Sequence, residues 1–314
     1  MKHLNNKTLT IIFLVLVAVF VLTKIFRSPH LESNLKTHLF GVDTAAVTRM
    51  RIQPPKSDGP EITLTRKGSQ WQLSQGQKSA EAAGAPVTEA LMSLTDVRVQ
   101  RMMSRKRSDW NTYKVGDTSG THVTVYGGKN LLADFWIGET GTGTGPYRQN
   151  TSYIRQTGTP DVYEAATGYL SSYFDKGYDD WRDHSFLRIN KNKITRINFQ
   201  YPADSGFVAV KKDSIWLIGN QRADSAKMAN YLNGLQSKDL YSFADGFSPT
   251  RDPDEVISIE NNSSSLAVIK AWKKDKDWVL SSSLRQHIYF SSKGSDVVTK
   301  LLVGKKALLS GAKK

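Results

Sequence analysis

An α+β fold of two similar β-rich halves, each mostly antiparallel strands with about two helices, behind one N-terminal transmembrane helix, is predicted by three features of the 314-residue sequence. They are a long apolar run near the start, period-two alternation between turn-forming clusters, and a segment that recurs once with its spacing kept. The apolar run is Leu9 to Phe26, whose only polar members are Thr10, Thr23 and Lys24. At ~1.5 Å per residue it spans ~27 Å, close to the hydrocarbon thickness of a bilayer. Lys24 lies near the end of the run, where its ammonium reaches the headgroups and escapes the ~3 kcal/mol that Lys costs at mid-membrane. The following Thr23-Lys24-Ile25-Phe26-Arg27 lacks the small-residue pattern of a signal-peptide cleavage site, so the helix reads as an uncleaved anchor. Lys2 and Lys7 precede it while Lys24 and Arg27 follow, which leaves the charge rule nearly balanced. The short leader and long trailing region then place residues 1–8 in the cytoplasm and the bulk of a single-pass protein of the cytoplasmic membrane outside it, in the periplasm.

The remainder has the composition of a folded body. Hydrophobic residues make up 39% and aromatics 10%, with seven Trp and twelve Tyr, enough large apolar side chain to offset the entropy of ordering the backbone. The length allows one large domain or two smaller ones. A formal charge of +14 would point to nucleic acid in a cytosolic chain. Behind an anchor the anions at hand are lipid headgroups, wall polymers and acidic proteins, and the basic residues are scattered through loops. The excess therefore reads as solvated surface, with no nucleic-acid partner. There is no cysteine, which excludes disulfides, thiolate metal sites, a cysteine nucleophile and a lipidated cysteine, so membrane lipid is met through Leu9 to Phe26 alone.

The recurring segment is Val47-Thr48-Arg49-Met50-Arg51-Ile52-Gln53-Pro54-Pro55, which returns as Ile194-Thr195-Arg196-Ile197-Asn198-Phe199-Gln200-Tyr201-Pro202. Downstream, Arg66-Lys67 and Ser69-x-Trp71 answer to Lys211-Lys212 and Ser214-x-Trp216, and Leu91-x-x-Leu94 answers to Leu232-x-x-Leu235. In the first copy, alternation predicts strands over Val47 to Gln53, Glu61 to Arg66 and Trp71 to Leu73, separated by Ser57-Asp58-Gly59-Pro60 and Lys67-Gly68-Ser69. Helices follow near Pro86 to Thr95 and near Asp224 to Gln236; Pro86 suits a first turn, where its missing N–H is no loss. Four more strands, His122 to Tyr126, Leu131 to Ile137, Tyr153 to Gln156 and Val162-Tyr163, precede an amphipathic helix around Thr167 to Phe174. Their counterparts are Val256 to Glu260, Leu266 to Trp272, Trp278 to Ser281 and Ile288 to Phe290, then a helix around Asp296 to Val303. The expected division is a leader 1–8, the anchor 9–26, a linker 27–46, a first half 47–176, a junction 177–193, a second half 194–304 and a basic tail 305–314.

No stretch carries a catalytic, cofactor or metal motif, so none of those residues is assigned and no cofactor is expected. His3, His30, His38, His122, His184 and His287 never fall at HxH, HxxxH or HExxH spacing, which leaves no local zinc site. The run Gly138-Glu139-Thr140-Gly141-Thr142-Gly143-Thr144-Gly145-Pro146 has strands on both sides, whereas phosphate cradling needs a helix after it; it reads as a hairpin loop. Arg98, Arg101, Arg105, Lys106 and Arg107 crowd ten residues and have no counterpart in the second copy. They are the local candidate for an anionic partner, set against a solvated edge strand that uses charge to avoid aggregation. Trp181-Arg182-Asp183-His184-Ser185 has hydrolase residue types, but neighbours in sequence seldom face one another as a triad must. Arg182 and Asp183 are read as a structural pair at the junction.

Several of these stretches together resemble a known family. Phe40-Gly41-Val42-Asp43, Arg66-Lys67-Gly68-x-x-Trp71-x-Leu73, Ile137-Gly138, Tyr153-Ile154-Arg155, Val162-Tyr163 and Trp181-Arg182-Asp183 resemble the bacterial family called domain of unknown function 4340, over most of residues 40 to 245. The chain departs from it by having Asn111-Thr112-Tyr113-Lys114-Val115 where the family has Tyr-Gly-Leu. The family assigns no catalytic residues; what the resemblance implies is a membrane-anchored extracytoplasmic component that accompanies ABC-type transport systems of the gliding kind. The expected function is thus a non-enzymatic accessory subunit whose partners are ABC transporter subunits or envelope proteins. The alternative is an envelope module binding wall glycan or anionic lipid through exposed Trp or the Arg98 to Arg107 tract, with an envelope hydrolase third.

Overall fold

The computed structural model describes residues 37–310 except Ser57, 143–148 and Asp204, together with Phe13, Val15, Leu16 and Val17. Those four are helical, but the predicted anchor Leu9 to Phe26 otherwise lies outside the described residues, as does the leader. Among the described residues no helix is long and apolar enough to cross a membrane. Strands dominate: β1 (His38–Phe40), β2 (Arg49–Gln53), β3 (Ile62–Lys67), β4 (Gln70–Gln75), β5 (Lys78–Glu81), then helix α1 (Gly84–Met92), followed by β6 (Val97–Ser104), β7 (Thr121–Gly127), β8 (Asn130–Thr142), β9 (Gln149–Gln156) and β10 (Val162–Ala165). The chain continues through β11 (Ser185–Arg188), β12 (Arg196–Gln200), β13 (Phe207–Lys212), β14 (Ile215–Ile218), β15 (Gln221–Arg222), α2 (Ser225–Gln236) and β16 (Ser237–Asp239). It ends with β17 (Glu255–Glu260), β18 (Ser265–Lys274), β19 (Asp277–Ser282), β20 (Phe290–Ser291), α3 (Val297–Leu301) and α4 (Lys305–Leu308).

Two compact units form, and they interleave in sequence. Unit 1 is the chain through Arg66 plus Thr88–Asp175; unit 2 is Lys67–Val87 plus everything from Lys176. Unit 1 is an antiparallel sheet in the order β1-β6-β10-β9-β8-β7-β2-β3. Alternation sets its register: in β2 Met50 and Ile52 are buried between exposed Arg49 and Arg51, the period-two pattern of a sheet with one wet face. Phe135 on β8 meets Phe40 at 5.2 Å and Phe174 edge-on at 5.9 Å.

Unit 2 holds an eight-stranded sheet in the order β15-β14-β13-β12-β17-β18-β19-β20, the pair β11-β16, and the β4–β5 hairpin. Its core gathers Ile197, Phe199, Ile257, Ile259 and Ile269 from the sheet with Met228, Tyr231 and Leu235 from α2. Those helical positions fall on one face at i, i+3 and i+7. The helix starts where Asp224 accepts from the backbone N–H groups of Ala226 and Lys227, both at 3.0 Å, capping donors that would otherwise lack partners.

Four local readings change. Lys78–Glu81 is a strand, although it lacks the large apolar residues that mark one. The helix expected over Thr167 to Phe174 is a short 3₁₀ turn, Leu170–Tyr173. Gly138 to Thr142 continue β8, so only the rest of the glycine-rich run can be a loop, and 143–148 lie outside the described residues. The stretch 305–314 opens with a helix whose Leu308 is buried and whose carbonyl accepts from Asp224 N–H at 2.9 Å.

Candidate functional site

A constellation of ion pairs lies in unit 2, around the segment that carries Trp181 to Ser185. A 3₁₀ turn, Asp179–Trp181, buries the Trp181 indole completely. The chain then extends at Arg182, which forms a β-bridge with Ala82, while Ala83 N–H donates to the Trp181 carbonyl at 2.7 Å. These backbone contacts fix the Arg182 side chain, which is 6% exposed. Its guanidinium donates twice to Asp245, each time at 2.7 Å, and once to Asp179 at 3.1 Å. It also lies 3.4 Å from the Phe243 ring centroid. Burial works to lower the Arg182 pKa, but the Asp245 and Asp179 hydrogen bonds outweigh it and hold the group above its ordinary value.

Asp183 turns to a different partner. It accepts from Ser185 N–H at 2.9 Å and meets Arg285 Nη1 at 2.9 Å, with Glu81 3.9 Å from the same nitrogen. Burial pushes the Asp183 carboxyl up, yet the Ser185 hydrogen bonds and the charges of Arg285 and Arg188 hold it below the usual carboxylate range. Arg182 and Asp183 are therefore two halves of separate pairs, which corrects the expectation that they pair with each other. His184 Nε2 faces the Asp179 carbonyl at 2.8 Å, while Asp183 accepts from Ser185 N–H and meets Arg285.

A groove of about 260 Å³ runs between these pairs, lined also by Phe243, Phe247, His287 and Tyr289. His287 has φ +65°, a left-handed conformation uncommon outside glycine. Arg285 lines it with a half-used guanidinium: Nη1 holds Asp183, while Nε and Nη2 are closed from solvent and have no hydrogen-bond partner among the described residues. Nε and Nη2 are the side-on edge of the fork, whose two parallel N–H groups match a carboxylate. Buried donors left unmade cost ~1–3 kcal/mol each.

The predicted tract sits elsewhere, in unit 1, on and after β6. Arg98 pairs with Asp96 at 2.7 Å, Arg101 with Glu164 at 2.5 Å and Arg107 with Asp117 at 3.7 Å. Arg105 and Lys106 have no carboxylate within ion-pair distance among the described residues. β6 has β10 on one side and, over Val97 and Arg98 only, β1 on the other, so beyond Val99 the strand that carries Arg101 lies at the edge of the sheet. Exposed Trp is corrected, since each of the seven Trp is buried or half-buried. Unit 1 holds one constellation that no motif marks. Arg155, 3% exposed, lies 3.6 Å over Trp110 and donates to the Val115 carbonyl at 3.0 Å and to Asp117 at 3.3 Å. Burial lowers its pKa, against the pull of Asp117. Nearby on β7 and β8, His122 Nε2 lies 2.6 Å from Asp134 and its ring stacks on Trp136 at 4.2 Å. Among the described residues no group of three or more His, Cys, Asp or Glu could hold a metal ion.

A family model described as Domain of unknown function (DUF4340) matches residues 71–257. The chain belongs to this family. No curated protein and no solved structure matches the chain. The DUF4340 span includes Glu81, Arg182, Asp183, Phe243 and Asp245, and stops before Arg285, His287 and Tyr289. One wall of the groove thus lies inside the family's matched region and the other beyond it.

Proposed function

We propose that the chain is a membrane-anchored, extracytoplasmic accessory protein of an ABC-type transport or envelope system that acts by protein–protein interaction rather than catalysis. The anchor in this reading is Leu9 to Phe26, whose length and apolarity match a bilayer. The observation that carries the mode of action is the Arg285 edge. Its two parallel donors, without acceptors among the described residues, match a carboxylate, and being closed from solvent they are reached by an Asp, Glu or C-terminal carboxylate of a partner protein as the aromatic-lined groove opens. The ionic groups around it are held charged in stable pairs, an arrangement for recognition more than proton transfer.

An internal duplication belongs to the same reading, and strand order supports it. In unit 1, β8 and β9 follow β7, whose other neighbour is β2 and then β3; in unit 2, β18 and β19 follow β17, whose other neighbour is β12 and then β13. The pair β1-β6 likewise corresponds to β11-β16. Two related sheets give an accessory protein two faces of similar shape to present.

The test is affinity capture of the tagged full chain from membranes in mild detergent, in wild-type and Arg285→Ala forms. Wild type should recover ABC transporter subunits reproducibly, and Arg285→Ala should recover at least tenfold less while remaining folded and in the membrane fraction. Recovery of the wild-type chain alone, or unchanged recovery with the variant, sinks the proposal.

A further inference from the structure

We infer that unit 2 carries a second site, a binding groove for a long-chain fatty acid, formed where α2 meets α3 and α4. The inference does not rest on the proposed function, since it uses a different surface. The groove holds about 400 Å³, within the range of small-molecule sites. Its floor is apolar: Tyr231 and Leu308 are core residues at 7% and 2% exposure, and Val303 packs beside them. The Tyr231 hydroxyl is turned to the Leu301 carbonyl at 3.0 Å, which leaves its ring for the floor.

Around that floor stand three lysines, Lys227, Lys238 and Lys300. Lys227 donates to the Leu309 carbonyl at 2.8 Å, which neutralises no charge. Lys300 pairs with Asp296 at 2.5 Å, but the two side chains are 60% and 66% exposed, so the pair is worth little and is easily exchanged. Lys238 is half-buried and has no hydrogen-bond or ion-pair partner within contact distance among the described residues, though its charge acts on Asp296. Three cations stand against two carboxylates, Asp296 beside Lys300 and Lys238 and Asp224 beside Lys227, so the rim keeps a net positive charge, and the floor beneath is greasy. A ligand that satisfies both must be an anionic amphiphile: its head meets the ammonium groups and its chain covers Tyr231, Val303 and Leu308. One chain suits a groove of this volume better than the two of a diacyl lipid, and a carboxylate head suits lysines that act as point charges.

The experiment uses the full chain in phosphatidylcholine nanodiscs with palmitate bearing a diazirine on its chain. After illumination, mass spectrometry should find the label on peptides covering 225–238 or 300–309, at least tenfold above labelling by the matching uncharged alcohol. Lys238→Gln combined with Lys300→Gln should reduce it about tenfold. Gly234→Leu should abolish it, because a Cβ at Gly234 meets nothing within 4 Å, so a larger side chain fits and fills the groove; Leu also favours the helix, which keeps the fold intact. Equal labelling by the alcohol, or labelling that survives Gly234→Leu, overturns the inference. So does labelling erased by adding phosphatidylglycerol to the nanodisc, which would assign the groove to a diacyl lipid.

Discussion

The two arginines of the unit 2 groove differ in how much of each guanidinium is used. Arg182 has both terminal nitrogens engaged by Asp245 and Asp179 and its face covered by Phe243, so it is locked and contributes mainly shape. Arg285 spends one nitrogen on Asp183 and keeps an edge in reserve. Asp183 is thus the hinge residue of the site, since it holds Arg285 in place and depends on its charge to do so. Its folded-state pKa is depressed. A depressed carboxyl contributes stability that is present above the unfolded value of ~3.9 and is lost as pH falls through the folded value. Asp183→Asn keeps an acceptor for Ser185 N–H and removes only the charge. The variant should therefore unfold at lower urea than wild type at pH 7, with the gap closing as the pH is taken below ~4. A gap that stays constant across that range would mean that the charge of Asp183 does not stabilise the fold.

At the scale of elements, close approach of backbones explains what side-chain patterns alone do not. Gly138 lies within β8, where an added Cβ would stand 2.1 Å from the Lys114 carbonyl oxygen and 2.6 Å from that of Tyr113. Lys114 itself has φ +51°, so the turn that presses on the strand is already strained and has little room to retreat. Gly138→Ala should cost at least ~2 kcal/mol of stability. Gly84→Ala, at the start of α1 with nothing near its Cβ, should be neutral or slightly stabilising; thermal melts of the two variants check the contrast. The sequence made β3 and β17 legible because their apolar residues alternate, and α2 legible because Asp224 marks its cap. It hid β5, whose Lys78-Ser79-Ala80-Glu81 has no large apolar residue, and it made Gly138 look like part of a loop because flexible and tightly packed glycines read alike. The groove was hidden for another reason. Glu81, Arg182, Asp245 and Arg285 are scattered along the chain, and only the sheet pairings and the Ala82 bridge bring them together.

For the whole molecule, the notable feature is that chain order and compactness do not coincide. A division by sequence alone puts Lys67–Val87 with the first half, yet these residues belong to unit 2. There Ala82 bridges Arg182, Ala83 N–H caps the Trp181 carbonyl, and Glu81 faces Arg285. Unit 2 is therefore discontinuous, and its later part is completed only when an early segment reaches it, a non-local closure that slows folding. A fragment spanning 176–310 should have most of the core around Ile257 and Phe290 but lack the cover over Trp181 and the Glu81 side of the groove. Its unfolding should be broad and its midpoint well below that of the intact chain. A synthetic peptide of residues 67–87, a hairpin too small to be stable alone, should bind the fragment and sharpen the transition by mass action. Titrating the peptide while following Trp fluorescence and the melting midpoint checks this directly. A fragment that melts sharply at the temperature of the full chain and ignores the peptide would show that unit 2 closes without its early segment.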